Sequence, residues 1–175
     1  LVAEVLKLAF VDDDAFNTGK DNVEVPLKRL LSKDYARTQA ERIDLDRAQF
    51  YPAVKRLGAT DLTNHTINHV IVDRDHNVVT MTETSMHARV AVPGTGVTFN
   101  QGMCYFSLDP DDVNLIEGGQ RPRFVMSASI VMRHGKPYFA LGSGGGWTIP
   151  QTILQVILRA IDFEMDADEA VKAPR

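Results

Sequence analysis

The stretch Gly142-Ser143-Gly144-Gly145-Gly146-Trp147-Thr148-Ile149-Pro150, running into the apolar segment Gln151–Phe163, decides how this chain is read. Glycines let the backbone take conformations closed to other residues, and they remove side chains that would hold a ligand off the main-chain N–H groups. Thr148 is placed to cap the helix that follows, and Pro150 suits its first turn. The positive end of that helix would point at whatever approaches the glycines. Two readings share these residues. One is a loop of bare donors for a developing oxyanion. The other is a tight turn between a strand and a buried helix, and spacing alone favours it. The run is not a dinucleotide fingerprint, because Gly142, Gly144 and Gly145 lack the spacing and no βαβ unit follows. Nor is it a phosphate loop, since no Gly-Lys-Ser/Thr closes it.

Upstream of the glycines the pattern is that of hairpins. Ser127–Met132 and Pro137–Leu141 flank the turn His134-Gly135-Lys136. Ile67–Asp73 is rich in β-formers, Arg74-Asp75-His76-Asn77 makes a turn, and Val78–Thr84 alternates. Val97–Gln101, after the turn Pro93-Gly94-Thr95-Gly96, reads as a further short strand. The first part of the chain is helical. Leu1–Phe16 has helical apolar spacing, Pro26–Leu31 begins a second helix, and Ser32 caps a third over about Lys33–Ile43. Asp44–Thr66 is charged and aperiodic, and reads as a long mobile connection. Asp166–Lys172 is a last short helix, capped by Asp166 or Asp168. Helices, then antiparallel hairpins, then helices predict an α+β fold with sheet packed between helical layers.

The bulk composition narrows the function. The 175 residues suit one domain with a real core, and 44% apolar with 24% charged residues is globular. A net charge of -4 with no basic, aromatic-interleaved patch argues against nucleic acid as a partner. The single cysteine, Cys104, excludes an internal disulfide and a cysteine metal cluster. No apolar run approaches a membrane span, and no signal peptide is visible, which leaves the compartment open. His65 and His69 are four apart but bracket a strand start rather than a helix face. They, with His76, His87 and His134, read as surface or satisfied histidines rather than ligands.

Hydroxyls carry more. Thr66 stands where the charged connection meets the first hairpin, and Thr80, Thr82 and Thr84 share one strand face. Threonines on a solvent-facing strand would look the same. As a nucleophile, Thr66 would need a base beside it. Cleavage of the chain just before it would supply one, its own α-amine.

Taken in order, these segments resemble the γ-glutamyltranspeptidase family over nearly the whole chain, as the middle of a longer protein. "LKLAFVDDDAF" and "VPLKRLLSKDYARTQAERID" look like the end of the family's large subunit. "VIVDRDHNVVTMTETS" looks like the hairpin that opens its small subunit. "PGTGVTFNQGMCYFSLDP", "QRPRFVMSASIVMRHGKPYFALGSGGGWTIPQTILQVILRAIDFEM" and "ADEAVKAPR" follow in family order. The resemblance implies an N-terminal-nucleophile hydrolase with a four-layer αββα sandwich, here incomplete. Residues 1–65 would be the end of the large-subunit region and residues 66–175 the small-subunit-like core. In the family the precursor cleaves itself before a threonine, which then attacks a γ-glutamyl amide such as glutathione and passes the acyl group to water or an amino acid.

The resemblance places the nucleophile on Thr66, its hydrogen-bonding threonine on Thr84, and the oxyanion donors on Gly145 and Gly146. It implies no metal or organic cofactor. Its partners are a small-molecule acyl amide and the other subunit after self-cleavage. The family's Thr-Thr-His becomes Thr66-Ile67-Asn68, and a gapped alternative puts the nucleophile on Thr63. The substrate-gripping asparagine falls on Met86, the paired serines for the glutamyl carboxylate on Phe124 and Val125, and the aspartate for its amine on Tyr105. Each lost partner would cost a glutamyl head group roughly 1–3 kcal/mol. The alternatives are therefore an acylase for another amide, with an apolar acyl pocket, and a non-catalytic homologue.

Overall fold

The computed structural model describes residues 1–19, 23–51, 66–85 and 90–174. The chain divides into two compact units, Leu1–Gly58 with Met103–Arg123, and Ala59–Gly102 with Phe124–Arg175. Both are mixed from segments far apart in sequence. The division at residue 66 expected from the sequence is of another kind, since it concerns where a precursor would be cut.

In the first unit α1 spans Val2–Phe16, α2 Leu27–Leu30 and α3 Lys33–Ala40. Ser32 caps α3 as its sequence position implies, its hydroxyl accepting from the Tyr35 N–H at 3.1 Å. The helix stops at Ala40, short of the expected Ile43, and the chain continues into turns. α1 buries Leu8 and, less expectedly, Glu4. That carboxylate is ion-paired to Lys7 and accepts from the Gln49 N–H at 3.3 Å. The Lys7 ammonium, chiefly by hydrogen bonding, holds it below its usual range.

The Met103–Arg123 segment is pinned from inside. Asn114, only 1% exposed, donates its amide to the Tyr105 carbonyl and accepts from the Arg123 N–H at 3.1 Å. The Arg123 guanidinium, also buried, reaches Asp14 of α1 at 3.0 Å, and the Thr18 hydroxyl donates to the Val113 carbonyl at 2.7 Å. These side-chain bonds supplement the segment's own backbone bonds, among them a parallel bridge between Ser107 and Leu115.

The second unit holds two antiparallel ladders. β1, Thr66–Val72, pairs with β2, Val78–Thr84, with Thr66 opposite Thr84, Asn68 opposite Thr82 and Val70 opposite Thr80. Asp73 builds the connecting turn. Its carboxylate accepts from the N–H groups of Asp75 and Asn77, both at 2.9 Å, and from the Asn77 amide at 2.8 Å. β3, Ser129–Arg133, pairs with β4, Lys136–Leu141, with an irregularity between Val131 and Met132. His134 and Gly135, at φ 51° and 76°, form the two-residue loop whose twist matches the strands.

α4, Ile149–Ile161, follows, with Ile149 and Ile153 buried. α5, Ala167–Lys172, starts at a capping box between Asp166 and Glu169. Arg159 of α4 donates to the carbonyls of Ala170 and Ala173 at 3.1 Å, which ties the two helices together.

Two expectations are corrected. Val97–Gln101 is not a strand: a single bridge joins Ala91 to Thr98 around Pro93-Gly94-Thr95-Gly96. Val97 and Phe99 stay open, so no buried face is there to extend the pairing. Thr148 does not cap α4. Gly146–Thr148 form a 3-10 turn ahead of it, Thr148 is itself in helical conformation, and its hydroxyl donates back to the Gly145 carbonyl at 2.8 Å. Pro150 does occupy the first turn. The architecture of the described residues is α+β.

Candidate active site

The first hairpin has a polar face and an apolar face, and their burial is the reverse of the simplest expectation. Thr66, Asn68, Thr80, Thr82 and Thr84 are half-buried. The other face, with Ile67, Ile71, Val79 and Met81, is open, Ile71 being 61% exposed. The threonines are therefore not the solvent-facing side of the strand. Asn68, Thr80 and Thr82 are hydrogen-bonded there. The Asn68 amide donates to the Thr82 hydroxyl at 2.9 Å and lies 3.4 Å from that of Thr80. The Thr80 hydroxyl in turn donates to the carbonyl of Leu141, the last residue of β4, at 3.3 Å.

That last bond brings the start of the glycine run onto the hairpin. Beyond Leu141 the run passes along β1 with its alternate glycines inward. A Cβ built on Gly142 would fall on the Asn68 amide, and one built on Gly144 would stand 2.9 Å from the Thr66 carbonyl oxygen and 3.4 Å from its Cβ. Real Cβ atoms do not approach backbone as closely as one on Gly144 would, and one on Gly142 would have to displace the Asn68 side chain. Gly145 and Gly146 differ from them. Their φ angles are 123° and 56°, regions where side chains are strained, and they turn the chain into the 3-10 segment ahead of α4. The glycine run thus combines close packing at 142 and 144 with backbone reversal at 145 and 146.

Of the residues singled out in the sequence, the structure brings Thr66 opposite Thr84 and sets Gly144, next to Gly145 and Gly146, against Thr66. Gly146 is buried and Gly145 half-buried. Phe124 is half-buried, 3.2 Å from where a Cβ on Gly102 would stand, and Val125 is buried. Tyr105 belongs to the other unit, in a 3-10 turn over Gly102–Tyr105, where burial raises its phenol above the usual range. Met86, Thr63, His65 and His87 lie outside the described residues, as does most of the connection Asp44–Thr66.

In the sequence Asn68 stands out only as a departure from the family's Thr-Thr-His; the hairpin register, fixed by the Asp73 turn, is the signal that pairs it with Thr82. His69 has a carboxylate neighbour. Its Nε2 lies 2.9 Å from Glu83 on the open face, a diagonal cross-strand pair invisible without the register. Among the described residues no group of three or more His, Cys, Asp or Glu side chains could hold a metal, and no helix is long and apolar enough to cross a membrane. A cleft of about 680 Å³ between the hairpins is lined by Val70, Val72, Val78, Tyr138 and Phe139. It lies toward the turn end of β1, away from Thr66, and is mostly apolar.

The chain is 30% identical to the glutathione hydrolase proenzyme of Escherichia coli K12, over all of this chain and 33% of that protein. It is 34% identical to the acylase ACY 1 proenzyme of Pseudomonas sp. strain SE83, over all of this chain and 31% of that protein. The chain therefore spans about a third of the length of these relatives. The crystal structure of cephalosporin acylase from Bacillus halodurans superposes on it with a TM-score of 0.80 at 29% identity, covering 99% of this chain and 31% of that one. A sequence model of one family, gamma-glutamyltranspeptidase, matches residues 1–175 from end to end, and the chain belongs to the gamma-glutamyltranspeptidase family.

Proposed function

We propose that this chain carries the nucleophile and the oxyanion-stabilising loop of a self-cleaving amidohydrolase and acyltransferase. The observation that supports this most is the packing of Gly144, at the head of the Gly145-Gly146 turn, against Thr66, with Thr84 directly across the ladder. The names of the relatives, proenzymes of a glutathione hydrolase and of an acylase, point the same way.

In this reading the peptide bond before Thr66 is hydrolysed first, water giving residue 65 a carboxyl group and Thr66 an amine, with residues 1–65 and 66–175 left in separate, paired subunits. Thr66 gains a free α-amine. That amine takes the hydroxyl proton as Thr66 Oγ attacks the acyl carbonyl, then returns it to the leaving amine. The oxygen of the tetrahedral intermediate takes the carbonyl's electron pair and is met by the Gly145 and Gly146 N–H groups. Thr84 orients the nucleophile. Water or an amino acid then accepts the acyl group, and Thr66 is restored. The fold that accompanies this reading is the four-layer αββα sandwich, to whose two sheets the β1–β2 and β3–β4 hairpins would belong.

The substrate class divides in two. A γ-glutamyl amide such as glutathione follows from the family. An amide with an apolar acyl group is favoured by Phe124 and Val125, which would line an apolar acyl pocket and of which Val125 is buried. Intact mass and the new N-terminus test the cleavage. Two fragments, the second starting at Thr66, support the reading, and a start at Thr63 moves the nucleophile there. Turnover of γ-glutamyl anilide against other acyl anilides then separates the two substrates. One uncut, inactive chain would mark a non-catalytic homologue.

A further inference from the structure

We infer that Asn68 is a positioning residue that fixes the distance between the Thr66 strand and the glycine turn; this rests on the reading of Thr66 as nucleophile. Three contacts carry it. The Asn68 amide is held by the Thr82 hydroxyl at 2.9 Å, in the pair next to Thr66–Thr84 on the same face. The Thr80 hydroxyl, 3.4 Å from the same amide, donates to the Leu141 carbonyl at 3.3 Å, where the glycine run begins. Gly142 has no Cβ because the Asn68 amide fills that space.

Asn68 is thus a wedge with a hydrogen-bonded back and a packed front. Two residues along, Thr66 and Gly144 meet with no side chain between them. Removing the wedge, or swelling Gly142, changes the approach of β1 to the run just before Gly145 and Gly146. The glycine at 142 and the amide at 68 form one fitted unit. None of the residues assigned to the substrate belongs to it, so its effect falls on the geometry of attack and not on substrate affinity.

The test uses the protein expressed from its complete reading frame. Asn68→Leu keeps the branch at Cγ, adds bulk and loses the hydrogen bonds. Thr82→Val removes the hydroxyl partner, while Thr82→Ser keeps it. The expected result is slower self-cleavage and a kcat reduced by about 10–100-fold in Asn68→Leu and Thr82→Val, with KM nearly unchanged and Thr82→Ser near wild type. Gly142→Ala, which crowds the amide from the other side, should slow both steps in the same way. Melting curves recorded alongside must show each variant folded at the assay temperature. Normal kcat in Asn68→Leu and Thr82→Val overturns the inference. So does a change in KM alone, or a loss that follows unfolding and is not restored by Thr82→Ser. A wild-type protein that neither cleaves nor turns over sinks the proposed function itself, and with it any positioning role. That outcome is distinct from a normal wild type with indifferent variants.

Discussion

Gly144 lies so close to Thr66 that a Cβ on the glycine would stand 2.9 Å from the threonine's carbonyl oxygen. The obstacle is backbone in a paired strand, which cannot swing aside as a side chain can. Gly144→Ala should therefore force β1 and the glycine run apart. Overpacking of this kind costs about 1–3 kcal/mol. Denaturant unfolding should show that loss, and self-cleavage should slow with it. Gly118→Ala is the control: nothing lies within 4 Å of its Cβ position and its backbone is not in the left-handed region, so stability should hold within about 0.5 kcal/mol.

A buried amide offers a second test. Asn114 serves the Tyr105 carbonyl and the Arg123 N–H at once, in a segment without regular ladder bonds. Asn114→Ala removes both of these buried hydrogen bonds. Each buried partner lost costs about 1–3 kcal/mol, so the variant should lose about 2–6 kcal/mol. Asn114→Asp keeps the acceptor for Arg123 N–H but offers no donor to Tyr105, and should fall between the two. Chemical denaturation curves on the three proteins give the ranking.

The hairpins were legible in the sequence because their turns are written locally. Asp73 to Asn77 supply the acceptor and the reversal, and His134-Gly135 supplies two left-handed residues in a row. α4 was legible from its apolar content, with Pro150 marking its first turn. The Asn68–Gly142 contact was not, since it joins residues from two hairpins and depends on how closely they stack. The Thr148 cap failed for a related reason. A hydroxyl beside glycines can turn back on the Gly145 carbonyl, and residue type alone does not choose between that and the helix N–H groups. The burial of the threonine face was hidden too: alternation shows that two faces differ, not which of them is covered.

Asp73 predicts an acid sensitivity with a definite sign. The hydrogen bonds from Asn77, its side chain first and then its backbone, hold the Asp73 carboxyl below 3.8, its ordinary value. A carboxylate with a depressed folded pKa stabilises the fold above its unfolded pKa, and that contribution fades as pH falls through the folded value. Wild type should therefore melt higher than Asp73→Ala at neutral pH, with the gap narrowing below about pH 4. Melting temperatures of both proteins from pH 7 to pH 2 measure it. A gap that stays constant would mean the turn is held by something other than the ionised carboxylate.

Thr84 permits the sharpest separation of fold from chemistry. It faces Thr66 across the ladder and is half-buried on the hydroxyl-bearing side. Thr84→Val keeps the shape, the β-branching and the strand preference while deleting the hydroxyl. If that hydroxyl orients the nucleophile, the variant should fold as wild type yet lose about 10–100-fold in kcat, the order expected when one positioning contact is removed. Thr84→Ser, smaller but still hydroxylated, should recover most of the rate despite a looser fit. Val79→Thr, on the open face of the same strand, should leave the rate unchanged. Steady-state kinetics on the three, with cleavage followed by mass, decides the matter. A Thr84→Val protein as fast as wild type would show that Thr66 is oriented by its own strand and the glycine turn, without help from across the ladder.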